Sequence, residues 1–410
     1  MPWRMSSVIE QRWEFVKRAV PRREPLARLC REFGISRPTG YLWLRRYQQA
    51  RTMTALQCQS RRPRNSPQRT AAAIERQVVG LRERTHWGAR KLRELLREQE
   101  VKLPARTIHR ILQRYDLVTA PVPGAATTRF ERSEPNQLWQ MDTKSKYTLE
   151  DGECHPLVIL DDCSRYLVGL HALSGLAIEL ATPCLLTTFR NYGLPQAMLM
   201  DRGSMWWSPT NGWGLTSLAV GLIEQGITLL FGRARHPQTQ GKVERANRTI
   251  GEELRHHGQP RQWEQWPAAL EQTRQRYNWD RPHEALGMQR PAQRYRRSER
   301  EYAERPREWE YAAGSEVRRL GAHGTLNAAG GHWFVCESLA GKRVGVERFD
   351  GKLLVSYRHM YIREIDLATN TTRSLVVERT AVGATAPVAV PAPSAAAPTA
   401  PVETEAKEKV

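Results

Sequence analysis

Apolar residues recur along this chain with a helical period first and a strand period later. Between residues 6 and 50, Leu26, Leu29 and Phe33 fall on one helical face. Gly34 supplies a turn and Ser36 is placed to cap the next helix, so the spacing predicts a helix-turn-helix. In its second helix Arg37, Thr39, Arg45 and Arg46 are expected to point outward, with Leu42 and Tyr47 packed inward. A basic, Pro-containing stretch (Arg61, Arg62, Arg64, Arg69) reads as an extended link. A second helical unit follows over 70–117. Ile74, Val78 and Leu81 form one stripe and Leu92, Leu95 and Leu96 another, and Pro104 precedes a third helix with Ile108, Ile111 and Leu112. This unit is expected to be a second helix-turn-helix, with Arg106, Thr107 and Arg110 as its candidate groove-facing residues; a plain three-helix spacer is the competing reading.

A Pro-, Ala- and Thr-rich linker over 118–135 separates these helices from a stretch of short apolar runs. Strands are predicted at 157–161, 166–172, 197–200 and 227–231, with helices at 178–192 and 217–225 and a further helix carrying Glu244. That alternation suits an α/β, ribonuclease-H-like mixed sheet occupying 136–300 with its helical extension. Residues 259–312 are charged and helical in tendency, anchored by Trp263, Trp266 and Tyr277. The period then changes to two, with strands at 317–320, 333–336, 344–349, 353–357 and 361–367 and a hairpin turn at Asp350-Gly351. A small five-stranded, SH3-like barrel over 314–375 is expected, and a disordered Ala/Pro/Val-rich tail over 380–410. With a DNA-reading domain at 1–55, the chain is expected to be multidomain.

Charge narrows the partner. Lys and Arg number 63 against 43 Asp and Glu, a net +20, which favours phosphate-rich partners through counterion release. No apolar run reaches 18 residues and the first residues lack a signal-peptide core, so no membrane span is expected. The six cysteines have no CxxC spacing, so they read as reduced cytosolic thiols rather than a zinc module.

The candidate chemistry rests on three carboxylates. Asp142 lies in an apolar strand, Asp201 closes another, and Glu244 opens a helix whose stripe is Val243, Ala246, Ile250 and Leu254. Aspartate is depleted in strands and an unpaired buried carboxylate is costly, so the set invites a hard divalent cation. Asp161 and Asp162 are rival carboxylates, whose place beside Ser164-Arg165 favours a turn or an arginine pair.

These motifs carry a resemblance. Trp139-Gln140-Met141-Asp142, Leu160-Asp161-Asp162-Cys163-Ser164-Arg165-Tyr166, Asp201-Arg202-Gly203-Ser204, the run from His236 to Arg248, Tyr277-Asn278, and Arg281-Pro282-His283-Glu284-Ala285-Leu286 resemble a bacterial insertion-sequence transposase. The family is the DDE, retroviral-integrase-like superfamily. The resemblance implies that Asp142, Asp201 and Glu244 are catalytic and hold Mg²⁺ or Mn²⁺, two ions in all. It implies cleavage and strand transfer on double-stranded DNA, at element ends and target, by a dimer or tetramer in the bacterial cytoplasm at the nucleoid. Lys242, Arg245 and Asn247 become expected DNA contacts beside Arg37, Arg45, Arg46, Arg106 and Arg110. His236, Gln238 and Gln240 are open as to role. Arg202 departs from the usual Asn or His, and the Asp201–Glu244 interval is longer than in the integrases. Two alternatives are an inactive DNA-binding regulator and a structure-specific nuclease on the same core.

Overall fold

The computed structural model describes residues 8–58, 69–118, 131–208, 214–232 and 241–379. The chain divides into two compact units, one up to Ile74 and one from Glu75 onward. The link at 59–68, most of the 118–135 linker, Asn211-Gly212-Trp213, the segment from His236 to Gln240 and the tail all lie outside the described residues.

In the first unit, α1 (Val8–Ala19), α2 (Leu26–Glu32) and α3 (Arg37–Ala50) enclose Phe15, Val16, Leu29, Cys30 and Leu56. The expected cap is present: the Ser36 side chain accepts from the Thr39 N–H at 3.3 Å. Gly40 lets α3 approach closely, because a Cβ there would lie 2.5 Å from Cys30 Sγ and 3.0 Å from the Phe15 ring. Leu42 does not pack as expected; it is 43% exposed beside Tyr41. Helical period alone assigns it to the core, but the side of α3 that packs there carries Gly40, Trp43, Leu44 and Tyr47, and Leu42 lies off it.

The second unit begins with the three-helix cluster α4 (Ala72–Thr85), α5 (Ala89–Glu98) and α6 (Ala105–Arg114), closed on Val78, Leu92, Leu96, Ile108 and Ile111. Buried Glu75 pairs with Arg114 and accepts from the Tyr115 hydroxyl. The central sheet follows: β1 (Leu138–Thr143), β2 (Tyr147–Thr148), β3 (Glu153–Asp161), β4 (Leu167–Leu173), α7 (Ile178–Tyr192), β5 (Ala197–Met200), then the short pair β6 (Trp207–Ser208) and β7 (Gly214–Leu215). Helix α8 (Ser217–Glu224), β8 (Thr228–Phe231), α9 (Gly241–His257), α10 (Trp266–Gln275) and the one-turn α11 (Pro291–Arg294) complete it. The sheet runs β2-β3-β1-β5-β8 with β4 on β3; β1, β3 and β4 are antiparallel, while β1, β5 and β8 are parallel. Strand alternation divides the core. Leu157 and Ile159 face α7 and α8, whereas Val158 and Leu160 face α9 and α10.

The C-terminal strands form an open sheet, not the expected barrel. β9 (Glu316–Arg319), β12 (Arg343–Phe349), β13 (Lys352–Tyr357), β14 (Met360–Asp366) and β15 (Thr371–Glu378) pair in the order β15-β14-β13-β12-β9, and the end strands do not meet. β10 (Thr325–Ala328) and β11 (Gly331–Phe334) make a separate hairpin, so the expected strand at 333–336 pairs locally. Closure fails because one of the five anticipated strands sits in that hairpin, and β15, half polar and unanticipated, takes an edge. The Asp350-Gly351 turn has φ of 48° and 71°, the double positive φ of a tight hairpin. This sheet shares one hydrophobic cluster with the α7/α8 face of the core. Glu224 at the end of α8 ties the two together, accepting from Lys342 and the Tyr357 hydroxyl, each at 2.6 Å.

Candidate active site

Alternation along β1 decides where Asp142 goes. Trp139 and Met141 point into the α7/α8 core, so Gln140 and Asp142 point to the α9 face. Gln140 uses both ends of its amide: it donates to Asp162 Oδ1 at 2.7 Å and accepts from the Val243 N–H at 3.3 Å. One turn along α9, Asn247 donates to Asp142 Oδ2 at 2.8 Å. Helix α9 is thereby pinned against β1 at two points.

Parallel pairing brings in the second carboxylate. Leu138, Trp139 and Gln140 pair with Ala197, Met198 and Leu199; the pairing ends there, and the same register continued by two residues carries Asp142 toward Asp201, whose charge acts on it. Adjacent strands lie about 4.8 Å apart. Asp201 is held by the Gly203 N–H at 3.0 Å, and the missing Cβ of Gly203 is what allows it, since one there would sit 2.9 Å from Asp201 Oδ1. Glu244 lies in the first turn of α9 with its side chain exposed. Burial raises the Asp142 carboxyl to about 6, and the charges of Asp201 and Glu244 push the same way, against hydrogen bonds from Thr143 and Asn247. The three acids are thus electrostatically joined. Among the described residues no three acidic, His or Cys side chains converge tightly enough to hold an ion as they stand. The Asp142–Asp201 pair still fits a hard cation: two oxygen donors, one resisting ionisation, beside the buried and unpartnered Asn247 Oδ1.

The remaining candidates separate into inward and outward groups. Lys242, expected at DNA, turns inward and meets Asp162 Oδ1 at 2.6 Å, and burial lowers its pKa. Asn247 is likewise committed inward, while Arg245 and Arg248 on α9 are exposed. Arg37 and Arg45 on α3 and Arg106 and Arg110 on α6 are exposed; Arg46 lies 4.8 Å over the Trp43 ring. Arg202 rests 5.5 Å over the Trp207 ring. Asp161 and Asp162 are both fully buried turn acceptors. Asp161 receives the Asn136 N–H, the Ser164 N–H and the Ser164 hydroxyl; Asp162 receives the Arg132 N–H, Gln140 and Lys242.

Three further residues support the site: Asn278 stands in the Tyr277-Asn278 motif but was given no role there, and Glu253 and His171 belong to no motif. Asn278, fully buried in a one-turn π-helix, donates to the Leu167 carbonyl at 3.0 Å and accepts its N–H at 2.8 Å, fastening the start of β4. Glu253, on the far side of α9, takes the Trp87 indole N–H and Arg281, each at 3.0 Å. His171 on β4 meets Thr188 of α7 at 2.8 Å. The Tyr277-Asn278 motif was the available signal for Asn278 and a lone polar residue inside the apolar run 167–173 was that for His171, whereas Glu253 is one charge among many on its helix.

Comparison with known proteins locates this architecture. The Integrase core domain matches residues 132–237, a second Integrase core domain profile matches 225–291, and a Homeodomain-like domain matches 39–112. The Gag-Pol polyprotein of baboon endogenous virus (strain M7) is 29% identical over 202 residues, 46% of this chain and 11% of that polyprotein. That of gibbon ape leukemia virus is 26% identical over 201 residues, 47% of this chain and again 11% of the polyprotein. The chain therefore spans about a tenth of the length of these relatives. Among solved structures, the HTLV-2 integrase catalytic core domain in complex with magnesium (dimeric form) aligns with 40% of this chain and 97% of its own, at 16% identity and TM-score 0.31. The simian T-cell lymphotropic virus intasome in complex with PP2A regulatory subunit B56 gamma aligns with 75% of this chain and 100% of its own, at 14% identity and TM-score 0.36. The two integrase matches together run from residue 132 to 291, and that segment is a core of the DDE, integrase-like kind.

Proposed function

We propose that the chain is a DNA transposase that binds the ends of a mobile element, cleaves there and joins the freed end to target DNA. The observation that carries this reading is the convergence of Asp142, on β1, and Asp201, just past its parallel neighbour β5, with Glu244 in the first turn of α9, the three close enough that Asp201 and Glu244 raise the Asp142 carboxyl. The integrase core match supports it. Asp142, Asp201 and Glu244 would hold Mg²⁺ or Mn²⁺, two ions in all, which when bound supply charge stabilisation at the attacking and leaving oxygens. Asn247 and the Gly203 N–H orient the two aspartates, and Gln140 sets α9 against β1. Asp142 must give up its proton before it can act as a ligand. Water attacks a phosphodiester at the element end, and the released 3′-hydroxyl attacks target DNA in line. Exposed Arg245 and Arg248, on the same helix as Glu244, suit backbone phosphates. Arg37, Arg45, Arg46, Arg106 and Arg110 suit the element end, within a dimer or tetramer.

Asp142→Asn, Asp201→Asn and Glu244→Gln should each reduce Mg²⁺-dependent strand cleavage by at least about 10²–10³-fold, the scale of losing preorganised charge stabilisation. Binding to the same duplex should stay within about threefold. Retained cleavage in any of the three removes that residue from the site. Cleavage by the unaltered chain that ignores end sequence would favour a nuclease, and binding with no cleavage at all a regulator.

A further inference from the structure

Glu253 is a carboxylate, 4% exposed, on the same helix as Glu244. Nine residues separate them, about two and a half turns, so they leave α9 on opposite sides. Glu244 belongs to the aspartate pair. Glu253 belongs to a seam with the second helical unit, where Trp87 Nε1 donates to its Oε1 at 3.0 Å and Arg281 donates to the same oxygen at 3.0 Å. The Arg281 guanidinium lies 5.7 Å over the Trp87 ring, and His257 Nε2 is 3.4 Å from the other carboxylate oxygen. Around this centre the His86 and His256 rings lie 3.9 Å apart, His256 Nε2 meets the Arg84 carbonyl at 3.0 Å, and Arg290 pairs with Glu98 at 2.7 Å.

We infer that Glu253 is a positioning residue: with Trp87 and Arg281 it locks the second helical unit to the catalytic helix, and so sets the distance from the DNA sequence read by α6 to the bond that is cut. The inference rests on the transposase reading above. An apolar seam would hold the two parts together but let them slide. Directional bonds from two different elements onto one buried oxygen admit a single register, the role for which buried polar groups are best attested. The helical cluster has its own closed core of Val78, Leu92, Leu96, Ile108 and Ile111, so the seam is not needed for that cluster to be helical. Arg106 and Arg110 remain exposed on α6 while Trp87, at the start of the same cluster's second helix, is buried against α9. Any displacement at the seam therefore shifts α6 relative to the aspartate pair.

The test uses the full chain and a duplex that the unaltered chain itself selects from a random-sequence pool, end-labelled and incubated with Mg²⁺. The unaltered chain should cut one bond at a fixed distance from the selected sequence. Trp87→Phe keeps an aromatic ring in place but removes the N–H, and Arg281→Gln weakens the other donor from outside the helical cluster. Each should spread cleavage over several neighbouring bonds and lower its rate about tenfold, with duplex binding changed less than about threefold. Glu253→Gln, which keeps the acceptor oxygen, should restore a single position. A spread of cut positions is something loss of stability alone does not produce. If both Trp87→Phe and Arg281→Gln cut at the original bond and rate, the inference is overturned while the transposase reading stands. If the unaltered chain cuts no duplex, that reading falls and takes the inference with it.

Discussion

Lys242 shows how far a residue's role depends on where its side chain ends. On the α9 sequence it is one cation among several, yet its ammonium is spent on Asp162, which is fully buried. Removing one member of a buried pair leaves an uncompensated charge. Lys242→Ala should therefore cost about 3 kcal/mol, the low end for such a pair, because Asp162 keeps its bonds from Gln140 and the Arg132 N–H. Chemical denaturation checks this, and DNA affinity at temperatures where the variant is folded should fall less than about threefold. Arg245→Ala, whose side chain is exposed, should show the reverse: unchanged stability and weaker binding to every duplex. Equal stability of the two variants would mean the Lys242–Asp162 pair carries no net weight.

At the scale of elements, packing turns single groups into pH sensors. His171 on β4 is pressed against α7, its Nε2 on Thr188, and Gly169 beside it leaves no room for a Cβ. Burial lowers its pKa to about 4, the Arg274 charge adds to this, and Glu271 opposes it. The ordinary value is about 6.5, so between pH 6.5 and 4 the unfolded chain binds the proton and the folded chain does not. Stability is then fully present above pH 6.5 and falls as pH drops through that window, by at most about 3 kcal/mol. Asp142 runs the other way: its raised carboxyl costs stability above pH 6 and less below it. Unfolding free energy measured from pH 7 to 4 should fall in the unaltered chain, and His171→Asn should flatten the slope. An unchanged slope would mean His171 is protonated in the folded state.

For the whole molecule, the unit boundary lies near residue 74, so α4–α6 belong with the catalytic body. A fragment of 69–379 keeps the Trp87–Glu253 and Glu98–Arg290 bonds and should melt in one cooperative transition. A fragment of 119–379 leaves Glu253 without its indole partner and should melt several degrees lower. It should also bind DNA without regard to end sequence, whereas 69–379 should keep the share of selectivity due to α6. The affinity of both should fall steeply with salt, since phosphate contacts dominate. Equal melting temperatures for the two fragments would show that the helical seam contributes nothing to the catalytic body.

The sequence by itself determined whatever depends on neighbours along the chain. Helix α7 and strand β5 lie where apolar period and length put them, Ser36 caps α3, and Asp350-Gly351 makes its hairpin, because each is a local choice of backbone conformation. The two candidate aspartates stood out for a related reason: an aspartate in or at the end of an apolar strand conflicts with its surroundings, and the conflict shows in one dimension, whereas Glu244 was singled out by the cations around it and by the family motif. What tertiary structure decided is pairing. The parallel register that carries Asp142 toward Asp201, the commitment of Lys242 to Asp162, the grip of Asn278 on Leu167 and the meeting of Trp87 with Glu253 all join residues far apart in the chain. The same holds for the C-terminal sheet, whose strands were mostly visible but whose open order was not, because closure depends on which edges meet. Side-chain period records which face of an element is buried and carries no record of what it is buried against.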